Sequence, residues 1–207
     1  MSDRKASAGA GAARVRAGDE DARAGTIDGR RPDAPVAADA VIAPRGSGLG
    51  SRVRLALLKA RSHGRLEAGT GVHVARGVRI DATAGVRLGD GCLLGPGCRI
   101  EAAAGHVQIG AHARIGERAV LVALAGISVG DDAVVGEWAV LQDAFPDAPD
   151  VERPVRTQPL TALPISVGAR ARIGAHAALG AGARIAPDDV VASYAVVPTP
   201  AAPPTSP

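Results

Sequence analysis

The residues that could perform acid–base chemistry in this chain are few, and they fall in two places. One is the stretch 142–159, "QDAFPDAPDVERPVRTQP", in which Asp143 and Asp147 are four residues apart. The other is His106, in "AAAGHVQIG". A neutral imidazole accepts a proton near pH 7, and a carboxylate does so only where its surroundings disfavour the charged form. We therefore treat all three as candidate general bases. The alternatives are an exposed loop histidine and a solvated acidic loop.

Composition points to a narrow core. The hydrophobic fraction is 46%, but the aromatic fraction is only 1%, so Ala, Val, Ile and Leu must fill the interior. Small and β-branched side chains of this kind suit a solenoid, in which each repeat packs only on its neighbours.

Charge and hydropathy exclude two classes of partner. The net charge is +3, the arginines are scattered, and stacking aromatics are almost absent, so no nucleic-acid partner is expected. No apolar run approaches the roughly 18 residues of a membrane span, and the first residues lack the apolar segment of a signal peptide. We expect a cytoplasmic protein.

Cys92 and Cys98 occupy the same place in successive repeats, "LGDGCL" and "LGPGCR", where other repeats have Ala. This position predicts small core residues. Two thiols without a nearby histidine or carboxylate partner make a poor zinc site, so no metal site is expected.

A six-residue repeat begins at Val74. An aliphatic residue is followed by Gly or a small or polar residue, as in "IGAHAR", "IGERAV", "VGDDAV", "VGARAR" and "IGAHAA". The aliphatic first and small fifth positions point inward, and three such hexads make one triangular coil. The pattern predicts an all-β fold, the left-handed parallel β-helix.

The chain divides into four parts. Residues 51–65 are predicted to be a short capping helix, with Ser51 as its N-cap and an apolar stripe of Val53, Leu57 and Leu58. The other parts are a disordered N-terminal tail (1–50), the β-helix (66–200) with an inserted loop (142–166), and a disordered Pro-rich tail (201–207).

One corner of the predicted prism carries extra residues. The hexads starting at Ile80, Ile100 and Leu121 are longer than six, and the next in that column, at Leu141, carries the insertion. Counting back from the following hexad makes His106 an extra residue that bulges out at this corner.

The hexads, the late loop and the run "VGARARIGAHAALGAGARIAPDDVVASYAVV" after it resemble the left-handed β-helix acyltransferases. Among these the chain looks like the sugar and polysaccharide O-acetyltransferases, including the maltose and galactoside types. The resemblance covers residues 72–200.

This resemblance implies a homotrimer with acyl-CoA in the groove between neighbouring prisms, and a loop histidine as general base. When the similar loops are laid on this chain, Asp143, Asp150 and "RPV" at 153–155 fit without a gap, and the base position falls on Pro146. The resemblance places the CoA-facing positions at Ala175 and Ser193.

The predicted function is an acyl-CoA-dependent O-acyltransferase acting on a hydroxyl of a sugar or polysaccharide-like acceptor. Acetyl-CoA or another acyl-CoA would be a co-substrate, and no tightly bound cofactor is expected. The main alternative is a non-catalytic trimeric scaffold or regulatory subunit. A metal-dependent β-helix resembling the γ-type carbonic anhydrases is a third possibility. It needs converging histidines, whereas His106 and His112 are six residues apart and so fall on successive faces.

Overall fold

The computed structural model describes residues 48–146, 152, 154, 157 and 159–199. Almost all of the tail predicted at 1–50, the whole tail predicted at 201–207, and the candidate base Asp147 lie outside the described residues.

The chain winds into three parallel six-stranded sheets that enclose one core. The strands are numbered in chain order. Sheet A contains β1 (Leu66–Ala68), β4 (Val86–Leu88), β7 (Val107–Ile109), β10 (Ile127–Val129), β15 (Ile165–Val167) and β18 (Arg184–Ile185). Sheet B contains β2 (His73–Val74), β5 (Leu93–Leu94), β8 (Arg114–Ile115), β11 (Val134–Val135), β16 (Arg172–Ile173) and β19 (Val190–Val191). Sheet C contains β3 (Arg79–Asp81), β6 (Arg99–Ala102), β9 (Val120–Ala123), β12 (Val140–Gln142), β17 (Ala178–Leu179) and β20 (Val196–Val197).

Each strand pairs in parallel with the strand one coil later. Leu66 lies opposite Val86, and Val86 lies opposite Val107, so one coil of the early repeat contains 20 or 21 residues. The predicted fold class is confirmed: the chain is a parallel β-solenoid of six coils, consistent with the left-handed β-helix. We name the three edges of the prism by the sheets they join, in chain direction, as the A–B, B–C and C–A corners.

The core follows the hexad pattern. First-position side chains such as Leu94, Ile115 and Leu121 are fully buried, and so are fifth-position residues such as Ala113 and Ala139. Within the described part of the chain, every buried hydrophobic side chain is aliphatic, alanine or cysteine. The coil is too narrow for rings, which explains the near absence of aromatic residues.

Helix α1 (Gly48–Arg61) lies over the first coil. The hydroxyl of Ser51 accepts a hydrogen bond from the Val74 N–H at 2.7 Å, and Nε of Arg54 donates to the Val74 carbonyl at 2.8 Å. These two side chains satisfy backbone groups of β2, an edge strand whose unpaired groups would otherwise invite further strand pairing.

The inward face of this helix differs from the prediction. Leu55 and Leu58 pack against the core, whereas Val53 and Leu57 are exposed. Ser51 lies inside the helix rather than capping it, and the helix spans 48–61 rather than 51–65. The prediction followed apolar residues alone, but the covered surface is a strand edge that needs hydrogen-bonding side chains as well.

The second hexad position is packed against the next coil. A Cβ added to Gly136 would lie 2.6 Å from the Ala175 N atom, and one added to Gly168 would lie 2.4 Å from the Pro187 N atom. At the A–B and B–C corners, alanine replaces glycine at 186 and 192 in the last coil and at 75 in the first, whereas the first four coils carry Asp81, Glu101, Val122 and Gln142 at the C–A corner. At the A–B and B–C corners, glycine therefore occupies this position in nearly every coil that has another coil directly above it.

Substituting this glycine tests the stacking constraint. Gly136→Ala is expected to lower the free energy of unfolding by roughly 1–3 kcal/mol, because the two coils must separate to admit the methyl group. Gly48→Ala is the matched control, since a Cβ at Gly48 meets nothing within 4 Å. Urea denaturation measures both, and an equal effect of the two changes would contradict the constraint.

Cys92 and Cys98 are free thiols with no exposed surface, as predicted for small core residues. Burial raises the pKa of both thiols to about 12, and Asp90 adds to the effect at Cys92. Only the thiolate is a good nucleophile, so both sulfurs should be inert in the folded protein.

Thiol labelling tests this burial. At pH 8 we expect no reaction of the native protein with a disulfide reagent, and two reactive thiols after denaturation. A Ser128→Cys variant, which places a thiol on an exposed strand position, should react immediately at one site. Rapid labelling of native wild-type protein would show that the coils open easily.

Candidate functional site

The insertion leaves the prism at the C–A corner. Strand β12 ends at Gln142 and β15 begins at Ile165. Between them, β13 (Ala144–Pro146) and β14 (Leu160–Ala162) form an antiparallel hairpin in which Phe145 lies opposite Thr161. The prism thus carries a two-stranded arm, whose tip lies mostly outside the described residues.

Asp143 anchors the base of this arm. Its side chain is completely buried, and its carboxylate accepts three backbone hydrogen bonds from the preceding coil. Leu124 N–H donates to Oδ1 at 2.8 Å, while Ala125 and Gly126 N–H donate to Oδ2 at 2.8 and 2.6 Å. A buried charge is tolerated only where such donors replace the lost water.

The main chain of Asp143 ties the arm at both ends. Its N–H donates to the Val122 carbonyl at 3.3 Å, and its carbonyl accepts from the Leu163 N–H at 2.8 Å, just beyond β14. The residue predicted as a candidate base therefore has its oxygens occupied by amide donors and no solvent access. This geometry favours an anchoring role over proton abstraction from a substrate.

Pro146 closes β13, opposite Leu160, and is exposed. The position that the family resemblance assigns to the base is thus at the surface of the arm. Its side chain has no atom that accepts a proton.

His106 lies at the C–A corner two coils before the arm. Its carbonyl accepts a hydrogen bond from Ile127 N–H, as the Gly85 carbonyl does from Val107 N–H. His106 therefore occupies the same place in its coil as Gly85 does in the coil before. The extra residue of this turn lies within 103–105. The prediction that His106 is the bulge was wrong, because the alignment of apolar residues fixes the strand but not which turn residue is added.

The His106 side chain is exposed and borders a shallow cavity of about 330 Å³. Arg65, Glu67, Arg87 and Gln108 also line this cavity, and Nε of Arg87 lies 2.8 Å from Oε2 of Glu67. An imidazole beside guanidinium groups can take part in binding an anion. In the described chain it is not brought together with Asp143, which is buried beneath the corner.

Ala175 and Ser193 lie at the B–C corner, in successive coils. The Ala175 carbonyl accepts a hydrogen bond from Tyr194 N–H at 2.9 Å. Ala175 is half-buried and Ser193 is exposed, so the two positions predicted to face CoA do share one edge of the prism.

The same corner carries a stack of flat side chains that sequence reasoning missed. The guanidinium carbon of Arg118 lies 4.7 Å from the Trp138 ring centroid. Trp138 and His176 are 6.1 Å apart, and His176 and Tyr194 are 4.8 Å apart, with nearly parallel rings. All four residues have positive φ and take the fourth hexad position. The recurrence of flat side chains at the fourth hexad position of one corner was the sequence signal that could have revealed this stack.

The A–B corner carries charges instead. His112, Asp132, Arg170 and Asp188 take the positive-φ position in successive coils. Nε and Nη2 of Arg170 donate to the Asp188 carboxylate at 2.6 and 2.7 Å, and these bonds hold the pKa of Asp188 below its ordinary value. His112 and His176 thus lie at different corners.

No group of three metal-ligating side chains converges among the described residues. In the same part of the chain, no helix is long and apolar enough to cross a membrane.

Residues 106–136 match the family model of the hexapeptide repeat of succinyl-transferase. The chain carries the hexapeptide repeat. The predicted resemblance to β-helix acyltransferases is confirmed at the level of repeat and fold. No curated protein matches the chain by sequence.

Solved structures of AntD, an N-acyltransferase from Bacillus cereus, have a similar fold. One AntD variant, in complex with dTDP and coenzyme A, matches with a TM-score of 0.50 and 16% identity, over 69% of this chain and 79% of AntD. A second variant with the same ligands has a TM-score of 0.42 and 16% identity, over 64% and 79% of the two chains. A third, with dTDP-4-amino-4,6-dideoxyglucose and coenzyme A, also has a TM-score of 0.42 and 16% identity, over 65% and 79%. At this identity the likeness establishes the fold alone.

The anchoring role of Asp143 is testable. In Asp143→Asn one oxygen becomes an amide group whose N–H atoms face the backbone donors, so we expect a loss of about 2–4 kcal/mol in the free energy of unfolding. Asp131→Asn is the matched control. Asp131 also accepts a backbone N–H from the preceding coil, that of Ala111 at 2.7 Å, but it is exposed. Urea denaturation should show a loss below about 1 kcal/mol for the control. Equal losses would mean that Asp143 is no more than a surface contact.

Proposed function

We propose that the protein is a CoA-dependent acyltransferase whose acceptor is a sugar or a polysaccharide-like molecule. The observation that carries the proposal is the arm, which Asp143 fixes at one corner of a hexapeptide-repeat β-helix. Loops held on a rigid scaffold are where binding and catalytic groups are usually presented. AntD, which has this fold in complex with coenzyme A, supports the same activity.

In this proposal acetyl-CoA or another acyl-CoA is the co-substrate. It lies along the B–C corner, where Ala175 offers backbone groups and Ser193 adds a hydroxyl. The functional assembly is a homotrimer, as the family resemblance implies. The exposed apolar side chains of Leu160, on the arm, and Leu163, just beyond it, supply surface for subunit contact.

The reaction breaks the thioester C–S bond. The acceptor atom attacks the carbonyl carbon, a tetrahedral intermediate forms, and CoA leaves as its thiol with the proton that the acceptor loses. A hydroxyl acceptor needs a base during attack. Pro146 cannot serve, so a hydroxyl-directed enzyme would rely on His106, presented to an arm of a neighbouring subunit.

An amine acceptor is the second candidate, and Pro146 favours it. An uncharged amine attacks a thioester without first losing a proton, so it depends less on a base in the arm. An amino sugar therefore fits the chain as well as the hydroxyl predicted from sequence. The remaining alternative is a scaffold that retains the trimer without catalysis.

Calorimetric titration of coenzyme A and acetyl-CoA into the purified protein tests the donor site without knowledge of the acceptor. We expect a dissociation constant in the micromolar range and about one site per subunit. An absence of binding at millimolar coenzyme A would contradict the acyltransferase proposal and favour the scaffold.

If the donor binds, release of free CoA is measured with matched hydroxyl and amino sugars. His106→Gln should lower the rate with hydroxyl acceptors by roughly 10²-fold or more if His106 is the base, with little effect on amines. His63→Gln changes an exposed histidine outside the sheets and is the control. Pro146→His should raise the hydroxyl rate if only the base is missing.

A further inference from the structure

An apolar groove of about 350 Å³ lies between the arm and the outer face of sheet C. Its floor is formed by Val140, Ala178 and Val196, which occupy the outward position of three successive coils. Phe145 and Pro146 of β13 form one wall. The groove is thus built where the inserted arm lies beside the last coils of the prism.

Among the described residues, those that line this groove include no charged side chain. Val140 and Val196 are 37% and 70% exposed, so much of the floor faces solvent. Two polar side chains stand among these described lining residues, and in one of them the Gln142 amide donates to the Ala144 carbonyl at 3.0 Å. The other is Thr199, at the end of the floor. When a ligand covers such exposed apolar surface, the removal of that surface from water favours binding by about 25 cal/mol per Å².

The size of the groove selects a thin occupant. A volume of about 350 Å³ lies at the lower end of small-molecule sites, so a whole CoA does not fit. The floor residues Ala178 and Val196 follow Ala175 and Ser193 by three positions each. The groove therefore adjoins the edge proposed for CoA. The Asp143 anchor fixes its wall before any ligand arrives, which lowers the entropic cost of binding.

We propose that this groove binds the acyl chain of the donor, a straight aliphatic chain longer than acetyl. The inference rests on the proposed function, because it takes an acyl-CoA as the ligand. It goes further in naming the class of donor: medium-chain acyl-CoA is preferred over acetyl-CoA.

The test compares the binding of coenzyme A, acetyl-CoA and octanoyl-CoA by calorimetry. Each buried methylene strengthens binding by about 0.8 kcal/mol, or roughly fourfold, so octanoyl-CoA should bind at least about tenfold more tightly than acetyl-CoA. In Ala178→Trp, which fills the groove, this gain should disappear while the affinity for coenzyme A stays within about twofold. Ser128→Trp adds the same side chain on sheet A and should retain the gain.

Val196→Ser is a gentler variant in case Ala178→Trp fails to fold. It lies on the exposed last coil and should reduce the gain without removing it. Equal affinities of acetyl-CoA and octanoyl-CoA in the wild type, or a full gain in Ala178→Trp, would overturn the inference.

Two further outcomes separate this inference from the proposed function. If no CoA compound binds, the proposed function fails. Titration of octanoate then asks whether the groove takes an aliphatic chain at all, and octanoate binding that Ala178→Trp abolishes supports the chain site. If Ala178→Trp changes only the oligomeric state in sedimentation, with no effect on chain-length preference, a second copy covers the groove and the acyl-chain site is wrong.

Discussion

The close stacking of successive coils is the constraint on which the rest of the structure depends. Parallel strands pair about 4.8 Å apart, so the backbone at each corner nearly touches the backbone above it. At Gly136 and Gly168 this leaves no room for a Cβ. The same spacing aligns equivalent side chains into columns. Aliphatic columns make the core, and outward columns make the corner ladders of charges and rings.

Because coils are so regular, an irregular segment needs its own source of rigidity. The arm breaks the column after β12, and backbone amides of the preceding corner would be left without partners there. The Asp143 carboxylate takes the place of the missing partners by accepting hydrogen bonds from the N–H groups of Leu124, Ala125 and Gly126. Burying a carboxylate is costly, and three short amide hydrogen bonds offset the cost. The arm can then hold Phe145 and Pro146 in place as the wall of a groove.

Sequence predicted the features that repetition encodes. Core positions, the narrow aromatic-poor interior, the small-residue role of Cys92 and Cys98, and the corner that carries extra residues all follow from spacing of six. Prediction from the sequence failed where a single contact decides the structural role of a residue. Nothing local marks Asp143 as buried, since its partners come from the preceding coil. Likewise, backbone hydrogen bonds between coils determine which turn residue near His106 is the added one. Hydrophobic periodicity does not reveal these bonds.

Pro146 affects both the proposed chemistry and the shape of the arm. A proline with no proton acceptor, set on a fixed arm and facing an apolar floor, contributes shape rather than acid–base chemistry. In acyl transfer, positioning of the thioester and intrinsic nucleophilicity of the acceptor can together carry much of the rate. If the protein is the acyltransferase proposed above, an arm with no base at this position but a rigid wall is best matched to an acceptor that is already nucleophilic and a donor held by its acyl chain. In the proposed function, the arm therefore contributes recognition of both partners rather than proton abstraction.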